Sequence, residues 1–334
     1  MASENNVEIS IVVPLLNEVE NLPELYDRLH DALSKLKRTY EIIFIDDGSI
    51  DNSFCILKEI ASVDVNVQII RFRRNFGQTA AMSAGFDHSQ GSVIIPIDAD
   101  LQNDPNDIEM LLNKIEEGYD IVSGWRANRK DGFVLRRLPS ILANRLIVWL
   151  TGVKLHDFGC TLKAYRRDVI ENIRLYGELH RFIPVLGKLI GAKITEIKVN
   201  HYPRTRGQSK YGISRAMRVI LDLIMIRFLM SYSTRPIQIF GLMGILSFCA
   251  GFVISAYLSV GKLFFPGGKK EGWLSYFFSE TSLNERMPML ILSVLLLFTG
   301  VQLISIGLIG ELVIRTYHES QSKPIYVIRE IIKH

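Results

Sequence analysis

Two aspartates and a glutamine follow an apolar run closely enough to bind one metal ion. Residues 94–97 are Ile-Ile-Pro-Ile, and Asp98, Asp100 and Gln102 come directly after them at every second position. Two carboxylates at that spacing repel each other unless a cation lies beside them, and Mg²⁺ binds one or two carboxylates together with substrate phosphates. The pattern therefore predicts a site for Mg²⁺ or Mn²⁺ and a diphosphate, with a solvated acidic turn as the alternative.

The polar residues of this region are predicted to differ in role. Asp100 is expected to bind the metal directly, Asp98 to face a ribose or a metal-bound water, and Gln102 to add a further oxygen. Asp46 and Asp47 end another apolar run, where carboxylates can accept hydrogen bonds from a nucleoside. A plain turn is the alternative there, because Asp and Gly favour turns. No G-x-G-x-x-G follows the first apolar run, which disfavours a dinucleotide-dependent oxidoreductase.

Strands and helices alternate along the first half of the chain, and they must position these residues. Apolar runs predict five strands, at residues 7–13, 41–45, 67–72, 92–97 and 120–124. Apolar residues at helical spacing predict helices between them, at about 22–36, 52–62, 79–89 and 106–117. This alternation is typical of an α/β fold with a mainly parallel sheet and helices on both faces. Ligands bind beyond the carboxyl ends of such strands, so the polar residues after each strand should meet at one edge.

The second half of the chain is more apolar than the first. Residues 236–265 and 288–314 are almost continuously apolar, and each run exceeds the roughly 20 residues that span a bilayer. The net charge of +4 and the lack of a basic-aromatic stripe argue against a nucleic-acid partner. No pair of the three cysteines has metal-site spacing and nothing suggests a disulfide framework, which fits a reducing compartment. The first residues lack the pattern of a secretory signal peptide, so we expect the first domain to stay in the cytoplasm.

Six motifs occur in order along the chain: IVVPLLNE at 11–18, IDDGSIDNS at 45–53, RNFGQTAA at 74–81, DADLQ at 98–102, SGWR at 123–126 and RTRGQSK at 204–210. Together they resemble the family 2 glycosyltransferases, which have the GT-A fold. They are most similar to the dolichyl-phosphate mannose synthase branch, and the two apolar runs resemble those of its bacterial members. The resemblance implies transfer of a sugar from a nucleotide diphosphate to a polyprenyl phosphate.

The resemblance also implies roles for individual residues. It implies a nucleotide-sugar site formed by Pro14, Leu15, Asn17, Glu18, Asp46, Asp47, Gly77, Gln78, Asp98 and Ala99. It implies a catalytic group formed by Asp100, Asp157, Arg126, Arg136, Arg204 and Lys210. One departure concerns Leu15 and Leu16, which stand where many relatives have an aromatic residue. Base stacking is therefore expected to be weaker or to be supplied elsewhere.

A phosphate acceptor changes what the site has to supply. A hydroxyl acceptor needs a general base, whereas a phosphate monoester is already anionic, with a second pKa of about 6. Arginine suits such an acceptor because its fork matches phosphate geometry and stays charged. The resemblance implies that Arg126, Arg136 and Arg204 bind the phosphates and that Lys210 binds the leaving diphosphate, with attraction to lipid headgroups as the alternative for the arginines. Asp157 would orient the sugar, tune an arginine or assist as a base, unless it only caps a helix.

The chain is predicted to have four parts: a cytoplasmic GT-A domain at 1–212, a juxtamembrane amphipathic helix at 213–235, two transmembrane helices within 236–314, and a cytoplasmic tail at 315–334. The spans are placed at about 236–260 and 288–312, and a core helix is the alternative for 213–235. Eight Lys and Arg residues flank the spans on the terminal sides and four lie between them, which predicts cytoplasmic termini. Residues 323–332 have the pattern of a strand that could pair with the catalytic sheet or with a neighbouring subunit, which predicts a homo-oligomer.

These features predict a multi-pass enzyme of the inner (plasma) membrane that transfers a hexose, with inversion, from a nucleotide sugar to an undecaprenyl-type phosphate. UDP-glucose is the expected donor, and the bacterial likeness favours UDP over GDP. A membrane polysaccharide synthase with a hydroxyl acceptor is one alternative, but it would need more spans and a base. A non-catalytic nucleotide-sugar-binding scaffold is another, but acids are intact at every position of the predicted edge.

Overall fold

A computed structural model of the chain describes residues 7–127, 144–145, 147–149, 151–173, 175, 179–203, 237–264, 283–320 and 326–332. The chain divides into two compact units. The first comprises Met1–Arg227 together with Lys323–His334, and the second comprises Phe228–Ser322. The first unit contains the described β-sheet and the second contains two long helices, so each unit is considered by itself.

The described strands are β1 (Ile9–Leu15), β2 (Tyr40–Asp46), β3 (Val67–Phe72), β4 (Val93–Pro96), β5 (Ile121–Trp125), β6 (Lys163–Arg166), β7 (Ile194–Lys198) and β8 (Ile328–Ile332). The described helices are α1 (Leu22–Lys35), α2 (Ser53–Val63), α3 (Gln78–His88), α4 (Ile108–Glu116), α5 (Arg167–Glu171), α6 (Ile183–Leu189), α7 (Ile237–Phe264) and α8 (Leu283–Ser320). Short 3₁₀ turns occupy Pro105–Asp107 and Leu179–Phe182.

The eight described strands form one sheet in the order β7-β5-β6-β4-β1-β2-β3-β8. The pairs β1–β2, β1–β4, β2–β3 and β5–β7 are parallel, whereas β6 and β8 run antiparallel to their neighbours. Every residue of β1 is buried, as expected for a central strand covered on both faces. The predicted mainly parallel sheet is therefore confirmed, with antiparallel members that were not predicted.

Helix α1 shows why these segments form as they do. Leu22, Leu25, Leu29 and Leu33 recur at helical spacing, and each is at most 1% exposed. Burial of each leucine contributes roughly 1.5–3 kcal/mol relative to exposure. Pro23 lies in the first turn, where its missing N–H costs no intrahelical hydrogen bond. The helix therefore packs one leucine face on the sheet, as the sequence predicts.

Strand β1 ends later than the sequence predicts. The sequence predicts a strand that ends at residue 13, but Pro14 and Leu15 also belong to β1 and pair with Ile45 and Asp46 of β2. Pro14 is tolerated because the ladder between β1 and β4 ends at Val12. The missing N–H of Pro14 therefore costs no hydrogen bond to β4. The remaining predicted strands and helices lie within a few residues of the observed ones.

The segments that follow β1 to β5, here called the carboxyl edge, meet as predicted. The backbone N–H of Asn17, after β1, donates to Ser49, after β2, at 2.9 Å. Asp47 accepts a hydrogen bond from the N–H of Phe76, after β3, at 2.7 Å. Because β6 is antiparallel, its first residue, Lys163, and the segment before it also lie at this edge.

The second unit pairs helices α7 and α8 closely. Segments Phe240–Val260 and Met287–Gly310, with mean hydropathies of 1.9 and 2.4, are long and apolar enough to cross a membrane by length and composition. A side chain at Gly244 would come within 2.8 Å of the carbonyl oxygen of Gly300, so the helices approach at small residues. Residues 213–235, predicted as an interfacial helix, lie outside the described residues.

The tail after the second long helix forms β8, as the sequence pattern predicts, although the strand is shorter than 323–332. Ile328–Ile332 pairs antiparallel with β3 of the same chain, with Ile69 opposite Ile332. Of the two partners weighed from the sequence, the catalytic sheet is therefore the observed one. The homo-oligomer stays a prediction, without support from this strand.

Candidate active site

The turn after β1 is held by the turn after β2. Asn17 adopts a left-handed backbone with φ of 56°, which its short polar side chain tolerates. Its side-chain oxygen accepts from the N–H of Ile50 at 2.9 Å. The N–H of Glu18 donates to Ser53 at 3.1 Å, and the Glu18 carboxylate accepts from Asn21 at 2.6 Å. These contacts fix the first predicted motif, whereas Pro14 and Leu15 of that motif are part of β1.

Asp46 is fully buried and organises its own turn. Its Oδ1 accepts from the N–H of Ser49 at 2.8 Å, and Arg71 Nε lies 3.4 Å from its Oδ2. The ion pair balances the buried charge, although this geometry does not make a hydrogen bond to Oδ2. A contact between Asp46 and a nucleotide stays a prediction.

Asp47 joins the turn after β2 to the segment after β3. Its two oxygens accept one hydrogen bond each, from the N–H of Phe76 at 2.7 Å and of Gly77 at 2.9 Å. Burial raises the pKa of Asp47, and these two backbone hydrogen bonds partly offset the rise. Gly48 has φ of 76°, and a Cβ there would lie 2.6 Å from the backbone of Arg74, so only glycine fits this junction.

Asp98 lies among positively charged groups. Gln78, the first residue of α3, donates from Nε2 to Asp98 Oδ1 at 3.1 Å. Burial raises the pKa of Asp98, while a hydrogen bond from Thr161 and the charges of Arg126, Lys163 and Arg181 oppose the rise. Four parts of the chain therefore supply donors or positive charge to this one carboxylate.

Asp100 stands two residues further along a strained turn. Leu101 between it and Gln102 has a left-handed backbone with φ of 61°, which is uncommon for a leucine. The N–H of Gln102 donates to Asp100 Oδ1 at 3.2 Å, and the carbonyl of Gln102 accepts from the N–H of Tyr202 at 2.9 Å. These two hydrogen bonds hold the turn that carries Asp100.

The acidic pair fits a divalent cation that a substrate helps to hold. Asp98, Asp100 and Gln102 offer the hard oxygen atoms that Mg²⁺ and Mn²⁺ prefer. Among the residues that the structure describes, no cluster of three or more His, Cys, Asp and Glu could hold a metal. Further ligands would therefore have to come from a bound diphosphate or from water.

Arg126 and Asp157 form a two-pronged ion pair. Arg126 Nε donates to Asp157 Oδ2 at 2.7 Å and Nη2 donates to Oδ1 at 3.0 Å. The side chains are only 14% and 7% exposed. Burial alone would lower the pKa of Arg126, but the hydrogen bonds and charge of Asp157 raise it overall. The N–H of Gly159 also donates to Asp157, at 2.9 Å, so the carboxylate is oriented from two sides.

Lys163 is a buried cation that sequence reasoning missed. Its side chain is 2% exposed, and Nζ donates to the carbonyl oxygens of Cys160 and Phe158. Burial lowers the pKa of Lys163, and the charges of Asp157 and Asp98 partly offset that effect. The lysine therefore fixes the turn that carries Asp157. Its position at the start of an antiparallel strand could not be recognised from spacing.

Arg181 was missed for a similar reason. It lies in the turn Leu179–Phe182, and its positive charge opposes the rise that burial causes in the pKa of Asp98. The turn is anchored to α3, because Thr79 Oγ1 lies 2.7 Å from Nδ1 of the buried His180. The only signal in the sequence is a His-Arg pair between apolar residues, which is compatible with many structural roles.

A stacked pair flanks the ion pair on the side of β7. The rings of Trp125 and His156 are 4.3 Å apart at 17°, and Glu196 pairs with the His156 ring. Glu196 also accepts from the N–H of His156 at 2.8 Å. This arrangement holds the segment before Asp157 against the sheet.

The remaining predicted phosphate ligands, Arg136, Arg204 and Lys210, lie outside the described residues. Among the described residues, the positive charge of the site therefore comes from Arg126, Lys163 and Arg181. Together with Asp98 and Asp100, these groups place positive and negative charge within one edge of the sheet. Among the residues that the structure describes, such an arrangement has the charge to hold anionic groups.

Comparison with known proteins gives both a family and a full-length relative. Residues 10–174 match the family described as Glycosyl transferase family 2. The chain is 41% identical over 330 residues to the dodecaprenyl-phosphate galacturonate synthase of Rhizobium johnstonii. That alignment covers 98% of this chain and 93% of the relative, so it includes the two long helices and the tail.

Solved structures of lower identity share the fold. Glucosyl-3-phosphoglycerate synthase from Mycobacterium tuberculosis, solved with Mn²⁺, UDP and glucosyl-3-phosphoglycerate, has a TM-score of 0.51 at 18% identity, over 69% of this chain and 81% of that one. Mannosyl-3-phosphoglycerate synthase from Rubrobacter xylanophilus has a TM-score of 0.54 at 15% identity, over 66% of this chain and 74% of that one. These likenesses concern the fold alone.

Proposed function

The chain belongs to the family 2 glycosyltransferases and has the predicted GT-A fold, and from this premise we propose that it transfers a sugar from a UDP-sugar to a polyprenyl phosphate. The named relative in Rhizobium johnstonii is a dodecaprenyl-phosphate galacturonate synthase, which supports a polyprenyl phosphate as the acceptor. An undecaprenyl-type lipid is the acceptor expected from the sequence.

The observation that carries the proposal is the ion pair between Arg126 and Asp157. Both carboxylate oxygens of Asp157 accept hydrogen bonds from Arg126, at 2.7 and 3.0 Å. A carboxylate held in this way is a poor general base, and a hydroxyl acceptor would need one. A phosphate acceptor needs positive charge instead, which Arg126, Lys163 and Arg181 provide. This favours a lipid phosphate over the hydroxyl acceptor of a polysaccharide synthase.

The sugar is proposed to be a hexose that carries either a hydroxymethyl group or a carboxylate at C6. UDP-glucose is the donor expected from the sequence, whereas the name of the relative points to galacturonate. A carboxylate at C6 would need a cation near the sugar, and Arg181 is a candidate among the described residues. UDP is proposed over GDP on the bacterial likeness of the sequence, and the Mycobacterium tuberculosis structure of the same fold also holds UDP.

A divalent metal, Mg²⁺ or Mn²⁺, is proposed as the cofactor. Asp100 would bind it directly, Gln102 would add an oxygen, and Asp98 would act through a metal-bound water or the ribose. When bound, the metal would supply positive charge that stabilises the departing diphosphate. The glucosyl-3-phosphoglycerate synthase structure contains Mn²⁺ beside UDP, which supports the assignment without choosing between the two metals.

The reaction is proposed as a single displacement with inversion. An oxygen of the lipid phosphate forms a bond to the anomeric carbon as the bond from that carbon to the UDP oxygen breaks. UDP leaves with the bonding electron pair, and the acceptor oxygen needs no proton transfer because the phosphate is already anionic. Arg126 and Arg181 hold the incoming phosphate, and Asp157 orients Arg126. Positioning and charge stabilisation would supply most of the rate.

The apolar helices are proposed to hold this enzyme in the inner membrane. The chain leaves the first unit before α7, and its tail pairs with β3 of that same unit after α8. Two crossings return the chain to the side from which it started, which supports a catalytic domain and a tail on the same side of the membrane. Residues 213–235 are proposed to lie at the interface, and the positive charges flanking the spans support the cytoplasm as that side.

The test is transfer to lipid by membranes that contain the full-length chain. Radiolabelled UDP-glucose, UDP-galacturonate and GDP-mannose are each incubated with undecaprenyl phosphate and Mg²⁺, and the lipid is extracted. Label released from the extract by mild acid supports a glycosyl phosphate lipid. Label in an insoluble polymer would instead indicate a polysaccharide synthase, and nucleotide binding without transfer would indicate a scaffold.

A further inference from the structure

The carboxyl edge is in contact with the C-terminal tail. Strand β8 runs antiparallel to β3, so its first residue, Ile328, lies opposite Phe72 at the end of β3. The N–H of Arg73 then donates to the carbonyl of Val327 at 3.2 Å. The tail therefore continues alongside the segment 73–77, here called the Phe76 segment, which leads from β3 into α3.

Three aromatic rings connect the tail with this segment. The ring of Tyr326 stacks on Phe72 with centroids 5.3 Å apart at 11°. Phe72 in turn meets Phe76 edge to face, with centroids 5.7 Å apart. Pairs of this geometry contribute beyond their burial. Tyr326 is only 8% exposed, so its ring is a packed member of this cluster and not a surface residue.

A hydrogen bond fixes the rotation of the Tyr326 ring. Tyr326 Oη donates to Asp87 Oδ2 at 2.9 Å, and Asp87 belongs to α3. Burial raises the pKa of Tyr326, as do the charge and hydrogen bond of Asp87, so the phenol stays a donor at neutral pH. The tail thus contacts both β3 and α3, the two elements between which the Phe76 segment lies.

The Phe76 segment supplies the contacts that organise the nucleotide side of the site. The N–H groups of Phe76 and Gly77 hold both oxygens of Asp47. The next residue, Gln78, donates to Asp98 at 3.1 Å. A shift of the Phe76 ring would therefore disturb Asp47 and Asp98 together, although none of the described hydrogen bonds joins either aspartate to residues 326–332.

We propose that Tyr326 of the C-terminal tail is a positioning residue for nucleotide binding, acting through Phe72 and Phe76 on Asp47. The proposal rests on the proposed function, because it takes the carboxyl edge as the binding site of a UDP-sugar. It means that the donor site is complete only after the chain has passed through α8 and returned to the sheet. A tail that merely covers the edge of β3 would protect the sheet but would leave nucleotide affinity unchanged.

The experiment compares tail variants of the full-length enzyme in detergent with Mg²⁺. Tyr326→Ala removes the stack and the phenol, whereas Tyr326→Phe keeps the stack and removes only the hydrogen bond to Asp87. Val327→Ala is the matched control, because that side chain is 49% exposed and its backbone hydrogen bond is retained. Affinity for UDP is measured by calorimetry, and hydrogen exchange is measured at the amides of Phe76 and Gly77.

Tyr326→Ala is expected to weaken UDP binding about tenfold and to raise the donor KM similarly, with kcat changed by less than about twofold. Tyr326→Phe should weaken binding by about two- to threefold, and Val327→Ala should not change it. The amides of Phe76 and Gly77 should exchange faster in Tyr326→Ala. Unchanged UDP affinity in Tyr326→Ala would overturn the proposal, whether or not these two amides exchange faster.

A second variant keeps the test decisive if Tyr326→Ala does not fold. Tyr326→Leu retains apolar volume in the packed position but removes the ring and the phenol, and the same weakening of UDP binding is expected. If the wild-type enzyme binds another nucleoside diphosphate in place of UDP, the donor assignment fails. The tail comparison is then made with that nucleotide, and it still decides whether Tyr326 positions the site.

Discussion

Asp157 accepts both prongs of the Arg126 guanidinium, through hydrogen bonds of 2.7 and 3.0 Å at a largely buried position. The carboxylate is therefore oriented toward an arginine and not toward open space at the carboxyl edge. This separates two kinds of glycosyl transfer, because a hydroxyl acceptor depends on a free base whereas a phosphate acceptor does not. The pair makes Asp157 a positioning group for Arg126.

Asp157→Asn should lower kcat about tenfold, which is less than the factor of about 100 to 10,000 expected for loss of a general base. The reason is that Arg126 loses its orientation but keeps its charge. The rate should still rise with pH through about 6 as the acceptor phosphate ionises, in both wild type and variant. Steady-state rates from pH 5 to 8 check this. A pH limb that disappears only in the variant would show that Asp157 is the base.

Arg181→Gln should reduce kcat/KM by about 10- to 100-fold, because a charge-assisted hydrogen bond to a phosphate contributes about 1.5–3 kcal/mol. The matched control is Arg28→Gln, which removes an exposed surface ion pair with Glu24. Such pairs contribute little, so the control should keep its activity. Equal losses in the two variants would remove Arg181 from the site.

Asp100→Asn should abolish the metal dependence of UDP binding, with a loss of affinity of about 100-fold in saturating Mg²⁺. The control is Asp104→Asn, because Asp104 accepts from Tyr202 Oη and from the N–H of Asn106. That substitution should cost about 1 kcal/mol of stability and leave the metal response intact. Calorimetry with and without EDTA distinguishes the two. A metal response that survives in Asp100→Asn would move the site elsewhere.

Asp47→Asn should change how stability depends on pH. Burial raises the pKa of Asp47 above the ordinary value of 3.8 in the folded protein. The folded state therefore holds this proton more tightly, and the free energy of unfolding falls as pH rises from that value through the raised pKa. The variant cannot ionise and should lack this decline. Chemical denaturation between pH 4 and 7 checks it, and parallel curves for the two proteins would contradict it.

The parts of the fold that follow from local patterns could be predicted from the sequence. The leucine spacing predicts helix α1, and the apolar runs predict strands β1 to β5. The alternation of strands and helices predicts a parallel sheet and hence the edge at which the polar residues meet. The predicted end of β1 at residue 13 is too early, because whether Pro14 fits within the strand depends on where the pairing of β1 with β4 ends. That is a property of the sheet and not of the local sequence.

The parts of the site that depend on antiparallel or distant segments could not be predicted. Lys163 reaches the edge because β6 runs against its neighbours, and Arg181 reaches it because His180 meets Thr79 of α3. Tyr326 lies far along the chain, and its stack on Phe72 follows from the pairing of β8 with β3. Residue spacing in the sequence does not predict these contacts, because each either joins residues about 100 or more positions apart or depends on the direction of a strand.

The most direct measurement of the central claim compares undecaprenyl phosphate with undecaprenol as acceptor for the same UDP-sugar. The two lipids differ only in the phosphate, and the product is analysed for its anomeric configuration. Transfer to the phosphate alone, with inversion at the anomeric carbon, is the predicted result. Equal transfer to the alcohol, or retention of configuration, would contradict attack by a lipid phosphate held by Arg126.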